Sequence, residues 1–175
     1  MRIYLTTDTH FSHAKIITFG RPADYEERIY KGLTDLIPRL GLNDVVLHLG
    51  DICIGNDEMV HQELMAAIPC KRWLIKGNHD NKSNNWYLAH GWDFVGDTLS
   101  FKAFGENILF SHVPQKLMRK EKNINIHGHF HDNEHRSWQY KAIYNKNRHL
   151  LLALEHYEYR PVLLEQFLSH AKKKN

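Results

Sequence analysis

The sequence predicts an α/β fold of two mixed β-sheets packed together with helices outside, on three observations. Over the first half, strand-like segments rich in β-branched residues alternate with amphipathic helical segments in the order βαβαβ. In the second half, strand-like pairs flank Gly105 and Asn145–Asn147. The 175 residues suffice for one sizeable core and are too few for two comfortable ones, so residues 1–175 read as a single domain.

Arg2–Thr7, "RIYLTT", reads as the first strand, buried on both faces near its middle. Asp24–Leu40 reads as a helix, because Tyr25, Ile29, Leu33, Leu36, Ile37 and Leu40 recur at helical spacing. Asp24 and Glu27 are placed for a capping-box variant, Pro38 weakens the last turn and Gly41 can stop it. "DVVLHLGD" is the second strand. Glu58–Ile68 is the second helix, with Asn56 or Asp57 as its cap, and "KRWLIKGNHD" is the third strand. Such a βαβαβ run argues parallel strands joined by right-handed crossovers. "LSFKAF" and "NILFSH" read as a hairpin, and "NINIHGHFH" follows. "WQYKAIY" and "RHLLLALEHY" read as a second hairpin, and Pro161–Lys172 as a closing helix.

Composition excludes several classes. Hydrophobic residues at 42% and charged residues at 25% are ordinary for a globular protein. The net charge of +3 resides partly in the tail "AKKKN", a solvated and frayed end by its composition. So mild a charge tolerates an anionic substrate without marking a nucleic-acid groove. Cys53 and Cys70 form no framework, which fits a cytoplasmic location. No apolar run approaches ~18 residues, so no membrane span is expected. The oligomeric state is left open.

The chemistry concentrates at strand ends. Asp8 and His10 follow strand one, Asp51 follows strand two, and Asn78, His79 and Asp80 follow strand three. His112 ends the hairpin, and His129 and His131 end the next strand. Ligands of open α/β sheets collect beyond the carboxyl ends of the strands. In an extended segment, residues i and i+2 point the same way, so Asp8/His10 and His129/His131 can each face one centre. Asp8, His10, Asp51, Asn78, His112, His129 and His131 form a set of N and O donors without cysteine. That set suits two divalent transition-metal ions, Mn²⁺ foremost, or Fe, Zn²⁺, Ni²⁺ or Co²⁺. Seven donors are too many for one ion with an open position and right for two ions sharing a carboxylate, a phosphoryl-transfer arrangement.

In order, "DTH", "GD", "GNHD", a lone "H" and "GHFH" resemble the five motifs of the calcineurin-like metallophosphoesterases across Asp8–His131. The stretches "TTDTHFSHAKIITFGRP" and "EYRPVLLEQF" look like a compact bacterial and phage subgroup of that family. The resemblance implies that Asp8, His10 and His131 bind a first metal and that Asn78, His112 and His129 bind a second, with Asp51 bridging. It implies that His79 binds no metal, contacts the phosphate and stabilises charge or protonates the leaving group, and it counts Asp80 with the catalytic pair as a supporting partner behind the donors. A hydroxide bridging the metals would attack phosphorus. His13 and Arg21, beside the first motif, are further candidates for touching phosphate.

"GDICIGND" lacks the arginine of the protein-phosphatase form of the second motif. The short separations between His79, His112 and His129 leave no room for a large cap. The first argues against a protein phosphatase; the second implies an open site and favours a phosphodiesterase acting on a small phosphate ester. A nucleotide or other small-molecule phosphomonoesterase is the runner-up, and a non-catalytic metal-binding scaffold is the alternative of another class. A nuclease acting on long nucleic acid is not favoured. His127 reads as a buried, non-ligating histidine, and Trp73, Trp86, Trp92 and Trp138 as packing residues.

Overall fold

β1 (Ile3–Thr6) is the strand on which the molecule is organised, and all four of its residues are buried. In the computed structural model, which describes residues 1–118 and 123–174, β1 pairs in parallel with β2 (Val45–His48), and β2 pairs in parallel with β3 (Lys71–Ile75). Beyond β3 lies β4 (Phe94–Gly96), also parallel. On the other side of β1 runs β9 (Val162–Leu163), antiparallel, giving the order β4-β3-β2-β1-β9. The second sheet has the order β5-β6-β7-β8. β5 (Thr98–Ala103) and β6 (Glu106–Ser111) form the antiparallel hairpin expected around Gly105. β7 (Asn123–His127) and β8 (His149–Leu151) continue the sheet in parallel.

The helices follow their apolar stripes. α1 (Tyr25–Leu36) buries Ile29, Leu33 and Leu36 and tightens into a 3₁₀ turn at Ile37–Arg39, where Pro38 cannot continue the α-helical ladder. The expected capping box does not form. Asp24 accepts instead from Arg28 Nε at 3.0 Å, and Glu26 takes the N–H of Ser12 at 2.9 Å. α2 (Asp57–Ala67) begins after Asn56 without a side-chain cap, whereas the short α3 (Asn84–Ala89) is capped by Ser83 on the N–H of Trp86. One core lies between the first sheet and these helices, around Ile29, Leu33, Leu64 and Leu74. The other lies between the sheets, around Leu5, Leu47, Ile108, Phe110 and Ile126. α4 (Leu164–Lys174) adds Phe167 and Leu168 to that second core.

Three expectations are corrected. The second hairpin is absent: Glu134–Tyr140 is a 3₁₀ helix, and β8 pairs in parallel with β7 rather than with a neighbour across Asn145–Asn147. Tyr140, at the end of that 3₁₀ helix, packs on Phe130, and Tyr144, beyond it, stacks on His149. α4 carries the basic tail through Lys174, so that stretch is helical rather than frayed; Asn175 lies outside the described residues. Trp138 is 69% exposed and does not pack as expected. No described helix is long and apolar enough to cross a membrane.

Candidate metal centre

The loops that leave β1, β2, β3, β6 and β7 converge at one end of the two sheets. The loop after β1 is zipped to the loop after β2: Asp8 N–H donates to Gly50 O at 2.8 Å, His10 N–H to Asp51 O at 3.0 Å and Phe11 N–H to Ile52 O at 2.9 Å. Gly128 N–H donates to His112 O at 3.0 Å, joining the ends of β6 and β7. The two sheets are tied by His129 N–H, which donates to Asp8 Oδ2 at 3.0 Å.

Asp8, His10, Asp51, His129 and His131 all have positive φ, between 48° and 71°. The i, i+2 pairs therefore converge through left-handed turns and not through extended backbone. Such backbone costs roughly 1–3 kcal/mol per non-glycine residue and persists where the surroundings enforce it. Two glycines make the approach sterically feasible. A Cβ on Gly77 would collide with the Asp51 carboxylate, and one on Gly128 would collide with Thr7 and the Asp8 carboxylate.

Two donor clusters result. In one, His131 Nε2 lies 3.8 Å and His10 Nε2 3.7 Å from Asp8 Oδ1. In the other, His112 Nε2 lies 3.3 Å from Asp51 Oδ2, 3.1 Å from Asn78 Oδ1 and 3.1 Å from His129 Nδ1. Asp51 also reaches the first cluster, with Oδ2 3.6 Å from His10 Nε2. All seven predicted donors are thus brought together, and Asp51 stands between the two groups.

The residues fit divalent cations. Asp8 Oδ1 and His10 Nε2 are fully buried, face each other and have no hydrogen-bond partner, a costly arrangement unless a cation occupies the space between them. His112 donates Nδ1–H to Leu49 O at 2.7 Å, which leaves Nε2 to face Asp51 and Asn78. Burial works against a charge on His112, but the carboxylates of Asp51 and Asp8 outweigh it and raise the ring to about 9. Burial drives His129 the other way, to about 4, with charged His112 adding to the effect. Thr7 Oγ1 donates to Asp8 Oδ2 at 2.6 Å and holds that carboxylate in place.

The remaining predicted residues divide. His79 sits at the open side with its side chain 38% exposed, its Nε2 3.9 Å from Asp51 Oδ2 and its ring 5.8 Å from that of His13. With His10 and Asp51 it makes a third grouping that could hold an ion. His13 Nδ1 is 3.4 Å from His10 Nδ1, at the same mouth. Asp80 does not face the opening. It is buried and accepts the N–H groups of Asp51 at 2.7 Å, Gly77 at 2.7 Å and Ile52 at 3.1 Å, clamping the loop after β3 to the loop after β2. Its carboxylate is taken up by these N–H groups, a supporting place behind the donors. Arg21 is also buried, donating to Glu155 Oε1 at 2.8 Å rather than standing open to phosphate.

Sequence reasoning missed two residues. Buried His48 takes the N–H of Gly50 on Nδ1 at 3.0 Å and meets Thr9 Oγ1 at 3.1 Å, shaping the turn before Asp51. Glu155 comes within 3.5 Å of His131 Nδ1. Burial would raise its carboxyl, but His131 and Arg21 bring it down to about 2. Nothing in the spacing of "LALEHY" points to His131, and only the placement of β8 beside β7 joins them. His127, as expected, is buried and turned onto Gly128 O at 2.9 Å. A cavity of about 370 Å³ between β5–β7 and Lys116–Met118 holds none of the donors.

Fold and donors together define an α/β sandwich with a candidate centre for two metal ions at its strand ends. The chain belongs to the calcineurin-like phosphoesterase family, whose family model matches residues 1–174. It is 27% identical to an uncharacterised protein of Methanocaldococcus jannaschii over 94% of this chain and 88% of that protein. A crystal structure of a protein of unknown function from Aquifex aeolicus matches with a TM-score of 0.72 and 26% identity, covering 97% of this chain and 98% of that one. The nuclease MPE of Pseudomonas putida shares the fold with a TM-score of 0.51 and 17% identity, over 74% of this chain and 61% of that one.

Proposed function

We propose that residues 1–175 form one metallophosphoesterase domain that hydrolyses phosphodiesters with two divalent transition-metal ions, Mn²⁺ foremost. The observation that carries this reading is the pair of donor clusters, Asp8–His10–His131 and Asp51–His112–His129, joined where Asp51 Oδ2 comes within 3.6 Å of His10 Nε2. Asp8, His10 and His131 would hold one ion and Asn78, His112 and His129 the other, with Asp51 placed to serve both. When bound, such ions act as Lewis acids toward phosphoryl oxygens and lower the pKa of water. Asp80 and His48 keep the turns of Asp51 and Asn78 in register. His79, on the open side, donates a proton to the departing alkoxide. His13 stands beside it to face a phosphate oxygen.

The preference for a diester rests on the open mouth, where the His79 side chain is 38% exposed, and on the residues between His79 and His112. Those residues are spent on α3, β4 and the hairpin rather than on a cap. The two buried free cysteines suit a cytoplasmic setting. The test is a substrate panel with Mn²⁺: a bis-aryl diester, an aryl monoester, cyclic nucleotides and oligonucleotides. The diester should be turned over fastest. Exclusive turnover of the monoester would establish a phosphomonoesterase instead, and bound metal without turnover of any substrate would establish a scaffold.

A further inference from the structure

His10 Nδ1 lies 3.4 Å from His13 Nδ1, and among the described residues no other hydrogen bond reaches either nitrogen. The backbone builds this contact. His10 O accepts from His13 N–H at 3.1 Å and from Tyr25 Oη at 2.7 Å, which closes the turn between the two histidines. Ile16 N–H donates to His13 O at 2.9 Å and carries that turn into the 3₁₀ helix Ala14–Phe19. The His10 ring is itself held between two others: His131 stacks on it at 4.9 Å, and His79 meets it edge-on at 5.3 Å. Its Nε2 is thereby kept toward Asp8 Oδ1 at 3.7 Å and Asp51 Oδ2 at 3.6 Å, and its Nδ1 toward His13.

A neutral imidazole has one N–H and one acceptor nitrogen, so of two facing nitrogens one must donate and the other accept. An imidazole that gives its Nε2 lone pair to a cation keeps its proton on Nδ1. His10 then has to donate, His13 Nδ1 has to accept, and the proton of His13 stands on its Nε2. We propose that His13 is the positioning residue that accepts the Nδ1–H of His10, so holding the His10 Nε2 lone pair toward the first metal ion and leaving His13 Nε2–H as a donor at the mouth. The inference rests on the two-metal reading. A ligating histidine usually donates its other nitrogen to a carboxylate, a carbonyl or water, and here a second imidazole takes that place. The His10–metal bond thus sets the tautomer of a ring that binds no metal itself. That ring lies 5.8 Å from the ring of His79, where an N–H suits a phosphate oxygen, which only accepts.

Two amides separate the nitrogens of His13. An asparagine oxygen can take the place of Nδ1, whereas a glutamine amide reaches the place of Nε2 and leaves His10 without its acceptor. Zn²⁺ titrated calorimetrically into metal-stripped protein reads the affinity for each ion. His13→Gln should lose about 10–100-fold for one ion and keep the other, and His13→Asn should keep both. Unchanged affinities in His13→Gln overturn the proposal, and so does an equal loss in both variants, which would mark a merely structural ring. Wild-type protein labelled with ¹⁵N-histidine and loaded with Zn²⁺ gives a test that needs no variant. Its ring shifts should place the proton of His10 on Nδ1 and that of His13 on Nε2; a proton on His13 Nδ1 overturns the proposal. A wild-type chain that binds no Zn²⁺ overturns the two-metal reading and this inference with it, whereas two bound ions with unchanged affinities in His13→Gln overturn this inference alone.

Discussion

The backbone N–H of His79 donates to Asp51 Oδ1 at 2.9 Å. One oxygen of the central carboxylate is thereby anchored to the loop after β3, and the other, Oδ2, is left facing His10 and His112 at 3.6 and 3.3 Å.

Asp51→Asn should therefore cost the protein both metal ions, while Asp8→Asn should weaken mainly one. An amide keeps one acceptor oxygen but has no charge to neutralise two cations. Metal content per chain, measured on each purified variant, checks this. Two tightly held ions in Asp51→Asn would rule out the bridging role.

Metal-stripped protein should regain activity with Mn²⁺ far better than with Mg²⁺. Four of the seven donors are imidazoles, and Mg²⁺ demands oxygen ligands. Full reactivation by Mg²⁺ alone would mean that fewer histidines ligate.

His79→Ala should keep both ions and lower turnover by roughly 10²–10⁴, the usual scale of acid–base assistance. The loss should be larger for an alkyl leaving group than for nitrophenolate, which needs no proton. Equal losses on both would leave only charge stabilisation, and a lost ion would make His79 a ligand with His10 and Asp51.

Asp80→Asn should act through the loops. The amide can satisfy fewer of the three N–H groups that Asp80 now accepts, and each buried donor left unpaired costs about 1–3 kcal/mol. Chemical denaturation should show the lost stability. A variant as stable as wild type but inactive would restore Asp80 to a direct catalytic role.

Away from the centre, His61 makes stability pH-dependent. Burial lowers it from 6.5 to about 4, and its Nδ1 accepts from Trp92 Nε1 at 3.0 Å. The folded state binds its proton less well than the unfolded state does. Stability is therefore complete above about pH 6.5 and falls as pH drops toward 4. Between pH 7 and 5 the loss from this group is about 2 kcal/mol. His61→Gln, which keeps an acceptor for Trp92, should flatten that part of the profile in urea melts; an unchanged slope would remove His61 as the cause.

The parallel order of β1–β3 and the seven donors were legible because each rests on local signals: apolar strand runs that end in a polar turn, and motif residues at those ends. What escaped depended on packing between distant segments. Tyr140 and Tyr144 have strand-like side chains, yet they pack on Phe130 and His149 from outside any strand, while β8 pairs in parallel with the distant β7. The motif placed Asp80 beside His79 without showing what it holds. Its carboxylate is consumed by backbone N–H groups of two loops, which composition cannot reveal. The left-handed backbone of Asp8, His10, Asp51, His129 and His131 was likewise invisible, since none is glycine.

β9 contributes only Val162 and Leu163, opposite Leu5 and Tyr4, yet it determines whether β1 is an interior strand or a border. A chain clipped just before Val162 would retain every donor residue. It would also leave β1, the strand that delivers Asp8, with a bare row of N–H and C=O groups. Such a border recruits other chains. Trimming at that point would thus bare the flank of β1 and, with α4, take Phe167 and Leu168 out of the core between the sheets at one stroke.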